Sequence, residues 1–151
     1  MRKFQIKGDD SKLFFWVHVF ETTDDANDWV GEYNRKAGKD QEGRFGAICM
    51  PFEWIRVDSD GNEERKPNIG IVVLSEEQLT LQTIVHELAH CSFWHDRLTG
   101  NDNAVYGPVI GAEEEKLLYL LAEYTRTCFS KLEKLGYKVE IGSKILKSED
   151  Q

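Results

Sequence analysis

Cysteine is scarce in this chain of 151 residues. It has three cysteines, Cys49, Cys91 and Cys128, which lie far apart in the sequence and include no C-x-x-C pair. An odd number at such spacing argues against a disulfide scaffold and against a zinc knuckle built from cysteines. We therefore interpret the three as small, buried apolar residues.

Long apolar runs and net positive charge are also missing. No segment approaches the length of a membrane span, and residues 1–10 lack the apolar stretch of a secretion signal. The net charge of −8 argues against a broad nucleic-acid footprint and against binding to anionic membranes. We expect a cytoplasmic protein that has neither nucleic acid nor a membrane as its partner.

What the chain does contain is enough apolar material for one folded unit. Apolar residues make up 40% of the sequence and aromatic residues 11%, which is ordinary for a globular domain of this length. We predict a single domain over residues 1–151, with a C-terminal tail that frays from about residue 143. A monomer or a weak dimer is expected.

Strand and helix signals follow one another in the first part of the chain. Residues 12–22 are rich in aromatic and β-branched side chains, which predicts a strand. Thr23 with the two acidic residues after it predicts the start of a helix, which should stop near Gly38. Residues 45–57 form a second apolar stretch, interrupted by Pro51.

The second part of the chain is mainly helical. Asp60 and Gly61 predict a hairpin turn, and residues 69–74 predict another strand. From residue 113 to 135 apolar side chains recur with the helical period, and a short strand is expected at 139–141. This order of elements predicts an α+β fold with a small, mostly antiparallel sheet and helices packed on it.

The most informative segment is residues 86–90, an H-E-x-x-H pattern within the apolar, helix-compatible run 79–90. On a helix, His86 and His90 lie on one face about one turn apart, so both imidazoles can reach one metal ion while Glu87 stays beside it. Two neutral imidazoles suit Zn²⁺, and the carboxylate can take a proton from metal-bound water. Because the surrounding residues are apolar, we expect the histidines to be buried, where an unpartnered pair would be costly. The motif predicts a zinc-dependent hydrolase with Glu87 as general base.

A catalytic zinc ion needs a third protein ligand, with the fourth position left for water. His95 lies nine residues after His86, roughly 180° around the same helix, so it should face away from the metal. Asp96 stays open as a minor candidate, although the chain lacks the glycine that would let the backbone turn there. The better source is the acidic cluster at residues 113–115, for which favourable charge at a helix N-terminus is the alternative explanation.

These features resemble the short gluzincin-like metallopeptidases, including the ImmA/IrrE group and related proteins of phages and prophages. The likeness covers roughly residues 69–129 and combines H-E-x-x-H with an E-x-x-A-x-x-x-A-like helix. Counted from Glu115, Ala122 occupies the second small-residue position of that pattern, and Leu118 stands at the first. The likeness implies a zincin-like fold in which a second helix carries the third ligand, Glu115, with Glu114 as the alternative. One Zn²⁺ would then be held by that glutamate and the two motif histidines.

The resemblance implies hydrolysis of a peptide bond by metal-bound water, with narrow specificity for a protein partner. The reaction needs a further donor to the developing oxyanion, for which Tyr106 and Tyr119 are candidates and His95 is a weaker one. In such folds an extended peptide or protein substrate pairs with an exposed strand edge. Either residues 69–74 or residues 45–52 could supply that edge.

Two other functions stay open. The first is a regulatory or binding protein on a zincin-like scaffold, for example a phage-encoded modulator of a host factor, in which metal stabilises the fold and turnover is absent. The presence of Glu87 argues against a purely structural site, which has no use for a base. The second is an acidic interaction protein in which the motif arose by chance, and it would bind no zinc.

Overall fold

Strands and helices alternate along the described part of the chain, which in this computed structural model comprises residues 1–8, 12–39, 43–52, 54–99 and 112–141. The side chains of residues 112 and 113 are outside this description. The strands are β1 (Arg2–Ile6), β2 (Phe14–Phe20), β3 (Ile48–Pro51), β4 (Ile55–Val57), β5 (Glu63–Arg65) and β6 (Asn68–Ser75). The helices are α1 (Thr23–Lys36), α2 (Leu81–Leu98) and α3 (Ala112–Lys134), with a 3₁₀ turn at Glu76–Gln78 before α2. None of the helices in these ranges is long and apolar enough to cross a membrane.

Four strands form a mixed sheet in the order β1-β2-β6-β3. β1 and β3 run antiparallel to their neighbours, whereas the central strands β2 and β6 are parallel. A parallel pair needs a crossover connection, and here α1, β3 and the β4–β5 hairpin all lie within it. The predicted α+β class is confirmed, and two of the three pairings in this sheet are antiparallel.

Helices cover both faces of the sheet. Alternate side chains of β2 point to opposite faces, so Phe15 and Val17 pack in the cluster formed with α2 and α3, whereas Trp16 and Phe20 pack toward α1. On the α2–α3 side the core contains fully buried Leu88. The sheet thereby fixes the position of α2, the helix that carries the H-E-x-x-H motif.

Gly70 in β6 has close neighbours in the strands on both sides. A Cβ atom at this position would lie 2.6 Å from the carbonyl oxygen of Met50 and 2.6 Å from the ring of Phe15. The register between β2 and β6 also shifts at this point. Glycine is therefore required here by the contact between three strands rather than by a turn.

The helix boundaries agree closely with the sequence signals. Thr22, one residue before the predicted Thr23, caps α1 by accepting a hydrogen bond from the backbone N–H of Asp25. The chain leaves α1 at Gly38, whose φ of 71° lies in the region that favours glycine. Thr80 caps α2 in the same way as Thr22 caps α1, with a backbone N–H three residues later as donor.

The segment after α3 returns to the start of α2. Glu140 exchanges backbone hydrogen bonds with Leu79 and Leu81, and it forms an isolated parallel bridge with Thr80. The strand predicted at 139–141 is therefore reduced to this single bridge. The tail predicted to fray from about residue 143 lies outside the described residues.

β4 and β5 form a hairpin that is separate from the main sheet. In its turn, the carboxylate of Asp58 accepts hydrogen bonds from the backbone N–H groups of Asp60 and Asn62, and Gly61 has a φ of 82°. The hairpin predicted from Asp60 and Gly61 is confirmed.

Candidate metal centre

The two motif histidines converge on one point beside α2. His86 and His90 are one helical turn apart, and their Nε2 atoms are 3.2 Å from each other. Two Zn–N bonds of about 2.0–2.1 Å at a tetrahedral angle would separate the ligand nitrogens by roughly 3.4 Å. The observed separation therefore fits two ligands of one zinc ion. It also permits a hydrogen bond between one protonated and one unprotonated ring nitrogen.

The motif histidines are exposed, and the expectation that they are buried is wrong. Exposed positions of α2 recur at helical spacing and are Gln82, His86, His90, Phe93 and Arg97. The apolar residues near the motif, such as Ile84 and Leu88, are buried on the opposite face of the helix. Because the two imidazoles are exposed, the cost of burying them is not an argument for a metal site. The convergence of the two Nε2 atoms is such an argument.

Glu87, unlike the two histidines, is buried and only 6% exposed. Its carboxylate accepts a hydrogen bond from the backbone N–H of Cys49 in β3. Burial raises the pKa of Glu87 above its ordinary value, while the charges of His86 and His90 and the hydrogen bond from Cys49 oppose that rise. A carboxyl group in this setting, next to two imidazoles, is suited to exchanging a proton with a nearby water.

The strand beside Glu87 is an edge strand. β6 lies between β2 and β3, so both of its edges are paired and residues 69–74 cannot bind an extended substrate. Among the described residues, β3, within the other predicted segment 45–52, pairs with β6 alone. Of the two candidate edges, the structure therefore leaves β3.

The free edge of β3 has an unusual set of backbone groups. The N–H of Phe52 donates to the carbonyl oxygen of Ile69 at 2.8 Å, so the antiparallel alternation turns the backbone groups of Cys49 and Pro51 outward. The N–H of Cys49 is already used by Glu87, and proline has no N–H. At these two positions the edge therefore offers carbonyl oxygens alone.

Glu114 and Glu115 lie at the start of α3, where Glu115 is exposed and Glu114 is half-buried. The Nζ atom of the adjacent Lys116 is 3.3 Å from Oγ1 of Thr99, and Thr99 is roughly 13 Å further along the axis of α2 than His90. Within the described ranges, no three histidine, cysteine, aspartate or glutamate side chains are grouped so that they could hold a metal. Glu115 as the third ligand stays a prediction. For Glu115 to bind the same metal ion as His90, the start of α3 would have to lie nearer to His90 than it does in this structure.

Asp96 and His95 belong to the interface between α2 and α3. Asp96 is 1% exposed, and its Oδ1 atom is 3.9 Å from Nζ of Lys116. Nδ1 of His95 is 2.5 Å from the hydroxyl of Tyr124, and both side chains are buried. Burial lowers the pKa of His95, with the charge of Lys116 acting in the same direction and that of Asp96 opposing it. These contacts join two helices on the side of α2 away from the motif histidines.

Of the two predicted oxyanion donors, Tyr119 alone is in the described part of the chain. Tyr119 is 70% exposed on α3, and Tyr106 lies outside the described residues. A functional group not predicted from the sequence is the backbone N–H of Cys49, which donates to the carboxylate of Glu87. No sequence signal identifies it, because the two residues are 38 positions apart and meet only when the sheet packs against α2.

Comparison with known proteins adds no family assignment. The chain matches no protein-family model, and no curated protein or solved structure shows significant similarity to it.

Proposed function

We propose that this protein is a zinc-dependent metallopeptidase in which His86 and His90 bind the metal ion and Glu87 is the general base. The observation that carries the proposal is the 3.2 Å separation of the two Nε2 atoms next to a buried carboxyl group. A chance pair of surface histidines has no need of a carboxylate held at their side. We further propose Glu115 as the third ligand, with Glu114 as the alternative, in a zincin-like site.

Each residue has a separate task in this scheme. A bound Zn²⁺ would supply a Lewis acid that activates water and polarises the scissile carbonyl. Glu87 accepts a proton from the attacking water and passes it to the leaving amine, and burial raises the pKa of this carboxyl group above its ordinary value. Tyr119 or Tyr106 would donate to the oxyanion.

The free edge of β3 is the proposed substrate-binding strand. A peptide aligned with β3 would donate its backbone N–H groups to the outward carbonyl oxygens of Cys49 and Pro51. This places the peptide next to Glu87 because the same stretch of β3 holds that carboxylate. The proposed substrate is therefore an extended segment of a peptide or protein, cleaved with narrow specificity.

The site also supports a proposal for compartment. Cys49 and Cys91 are free thiols whose Sγ atoms are 3.7 Å apart, which is typical of a chain kept in a reducing environment. We place the protein in the cytoplasm, as a monomer or weak dimer.

Metal content tests the first part of the proposal. Protein purified without a metal-affinity tag should contain one zinc ion per chain, and His86→Ala and His90→Ala should lose it. Glu87→Gln should retain zinc. Glu115→Gln should weaken zinc binding, whereas Glu123→Gln, a matched change further along α3, should leave it unchanged. Substoichiometric zinc that dialysis against zinc does not restore would refute a metal centre.

Hydrolysis tests the second part. A library of quenched fluorescent peptides should contain sequences that the wild-type protein cleaves and that Glu87→Gln, with its zinc intact, does not. Equal cleavage by both proteins would show that Glu87 is not the base.

One observation favours a second function, a zinc-binding regulatory protein with little or no turnover. The described residues bring two ligands together rather than three, and a bound ion with few protein ligands can serve to hold a partner. In that case zinc would raise the melting temperature of the wild type and of Glu87→Gln equally, and neither would cleave any peptide.

A further inference from the structure

Two of the three cysteines meet between the edge strand and the motif helix. Cys49 lies in β3 and Cys91 in α2, and their Sγ atoms are 3.7 Å apart, which is van der Waals contact. The two side chains come from segments that are already joined by the hydrogen bond between the N–H of Cys49 and the carboxylate of Glu87. A disulfide needs an S–S distance of about 2.05 Å. To form one, the two sulfur atoms must move closer together by a distance shorter than the S–S bond itself.

We propose that Cys49 and Cys91 form a reversible intramolecular disulfide that braces β3 against α2, with a low-molecular-weight disulfide such as oxidised glutathione as the oxidant. This inference is independent of the proposed peptidase function. It adds a covalent modification at a position where the sequence indicated only buried apolar side chains.

The accessibility of the two thiols sets the order of the steps. Cys49 is half-buried whereas Cys91 is fully buried, so the oxidant reaches Cys49 first. The Cys49 thiolate attacks oxidised glutathione, which forms a mixed disulfide and releases one glutathione thiolate. The sulfur of Cys91 then loses its proton and attacks the sulfur of Cys49, and the second glutathione leaves as thiolate. The two protein thiols lose two electrons and two protons, and oxidised glutathione is reduced to two molecules of glutathione.

The position of the bond gives it a structural consequence. Cys91 directly follows His90, and Cys49 holds Glu87, so the disulfide would tie together the two elements that border the candidate site. It would also close a loop of about 40 residues, which restricts the unfolded chain and stabilises the folded one. The oxidised protein should therefore hold β3 against α2 more firmly than the reduced protein does.

Thiol counting on the full chain tests the proposal. The reduced protein is equilibrated in glutathione buffers of increasing oxidised fraction, quenched with acid, and then unfolded in denaturant and labelled with N-ethylmaleimide at neutral pH. The wild type should pass from three labelled cysteines to one, with Cys128 the residue that stays labelled. Non-reducing peptide mapping should show one cross-link, between the peptides that contain Cys49 and Cys91. The melting temperature of the wild-type protein should rise by several degrees on oxidation and return to its original value on reduction.

Two single variants give the controls. Cys128→Ser keeps both partners and should form the same cross-link, whereas Cys49→Ser should keep both of its thiols and show no rise in melting temperature. Cys49→Ala is the substitute if the serine variant does not fold.

Three results would overturn the inference. These are three labelled cysteines in the wild type at every glutathione ratio, a cross-link that uses Cys128 or joins two chains, and glutathione that stays attached to Cys49 at equilibrium.

Discussion

His18 should make the stability of this protein depend on pH. It lies in β2, 8% exposed, with its ring edge against Trp29 at a centroid distance of 4.9 Å. Its Nδ1 atom has no hydrogen-bond partner in the described part of the chain, and Lys3 is its cross-strand neighbour. Burial, and then the charge of Lys3, lower the pKa of His18 from 6.5 to about 4. The folded protein therefore disfavours the imidazolium form.

The direction and size of the effect follow from proton linkage. Since the pKa is lower in the folded state, the unfolded chain binds a proton first as the pH falls, and stability decreases between the unfolded value of 6.5 and the folded value of about 4. With 1.36 kcal/mol per pKa unit, His18 alone should reduce the free energy of unfolding by about 2 kcal/mol from roughly pH 7 to pH 5. His18→Phe, which keeps an aromatic ring against Trp29, should lack this loss.

The assay is urea denaturation of the wild type and His18→Phe at these two pH values, followed by tryptophan fluorescence in the presence of a chelator. The chelator removes any contribution from zinc at the motif histidines. His95 is also a buried histidine with a lowered pKa, but it is present in both proteins and cancels in the difference. If the two proteins lose the same free energy of unfolding between the two pH values, the argument for a buried neutral His18 is wrong.

Other predictions concern packing and the third ligand. Gly70→Ala should lower the free energy of unfolding by about 1–3 kcal/mol in chemical denaturation, because its Cβ would lie 2.6 Å from a backbone oxygen; unchanged stability would show that the strands separate easily there. Tyr124→Phe removes the hydroxyl that contacts His95 and should cost about 1–3 kcal/mol, with zinc content unchanged because this contact is remote from the motif. Zinc titration should show weaker binding for Glu115→Gln than for Glu114→Gln or Asp96→Asn. If only Glu114→Gln or only Asp96→Asn bound zinc more weakly, that residue would be the third ligand instead.

The edge of β3 takes part in two of the proposals, substrate binding and thiol oxidation. At Cys49 and Pro51 the edge has no outward N–H to offer, because Pro51 has none and that of Cys49 is bound to Glu87. A peptide that binds there must therefore present backbone N–H groups to the carbonyl oxygens at these two positions. A bond between Cys49 and Cys91 would hold the same strand to the motif helix. Substrate binding and thiol oxidation would then act on one element of the fold.

Much of the local structure could be predicted from the sequence. The strand at β6, the extents of α2 and α3, the caps of α1 and the hairpin turn depend on periodicity and on residues a few positions apart, and short-range sterics and hydrogen bonds decide them. The same holds for the convergence of His86 and His90, since a spacing of four places two side chains on one helical face wherever the helix lies.

Tertiary packing decided the remaining features, because each depends on which face or edge the folded chain covers. An apolar segment predicted buried histidines, yet α2 turns its apolar residues to the sheet and leaves His86 and His90 exposed. Two strands were equal candidates for an open edge until the strand order placed β6 inside the sheet and β3 at its border. The contacts of Cys49 with Glu87 and Cys91 join residues about 40 positions apart, so they exist only once β3 lies against α2. The sequence by itself determined that His86 and His90 share one helical face, and the tertiary structure decided what surrounds them.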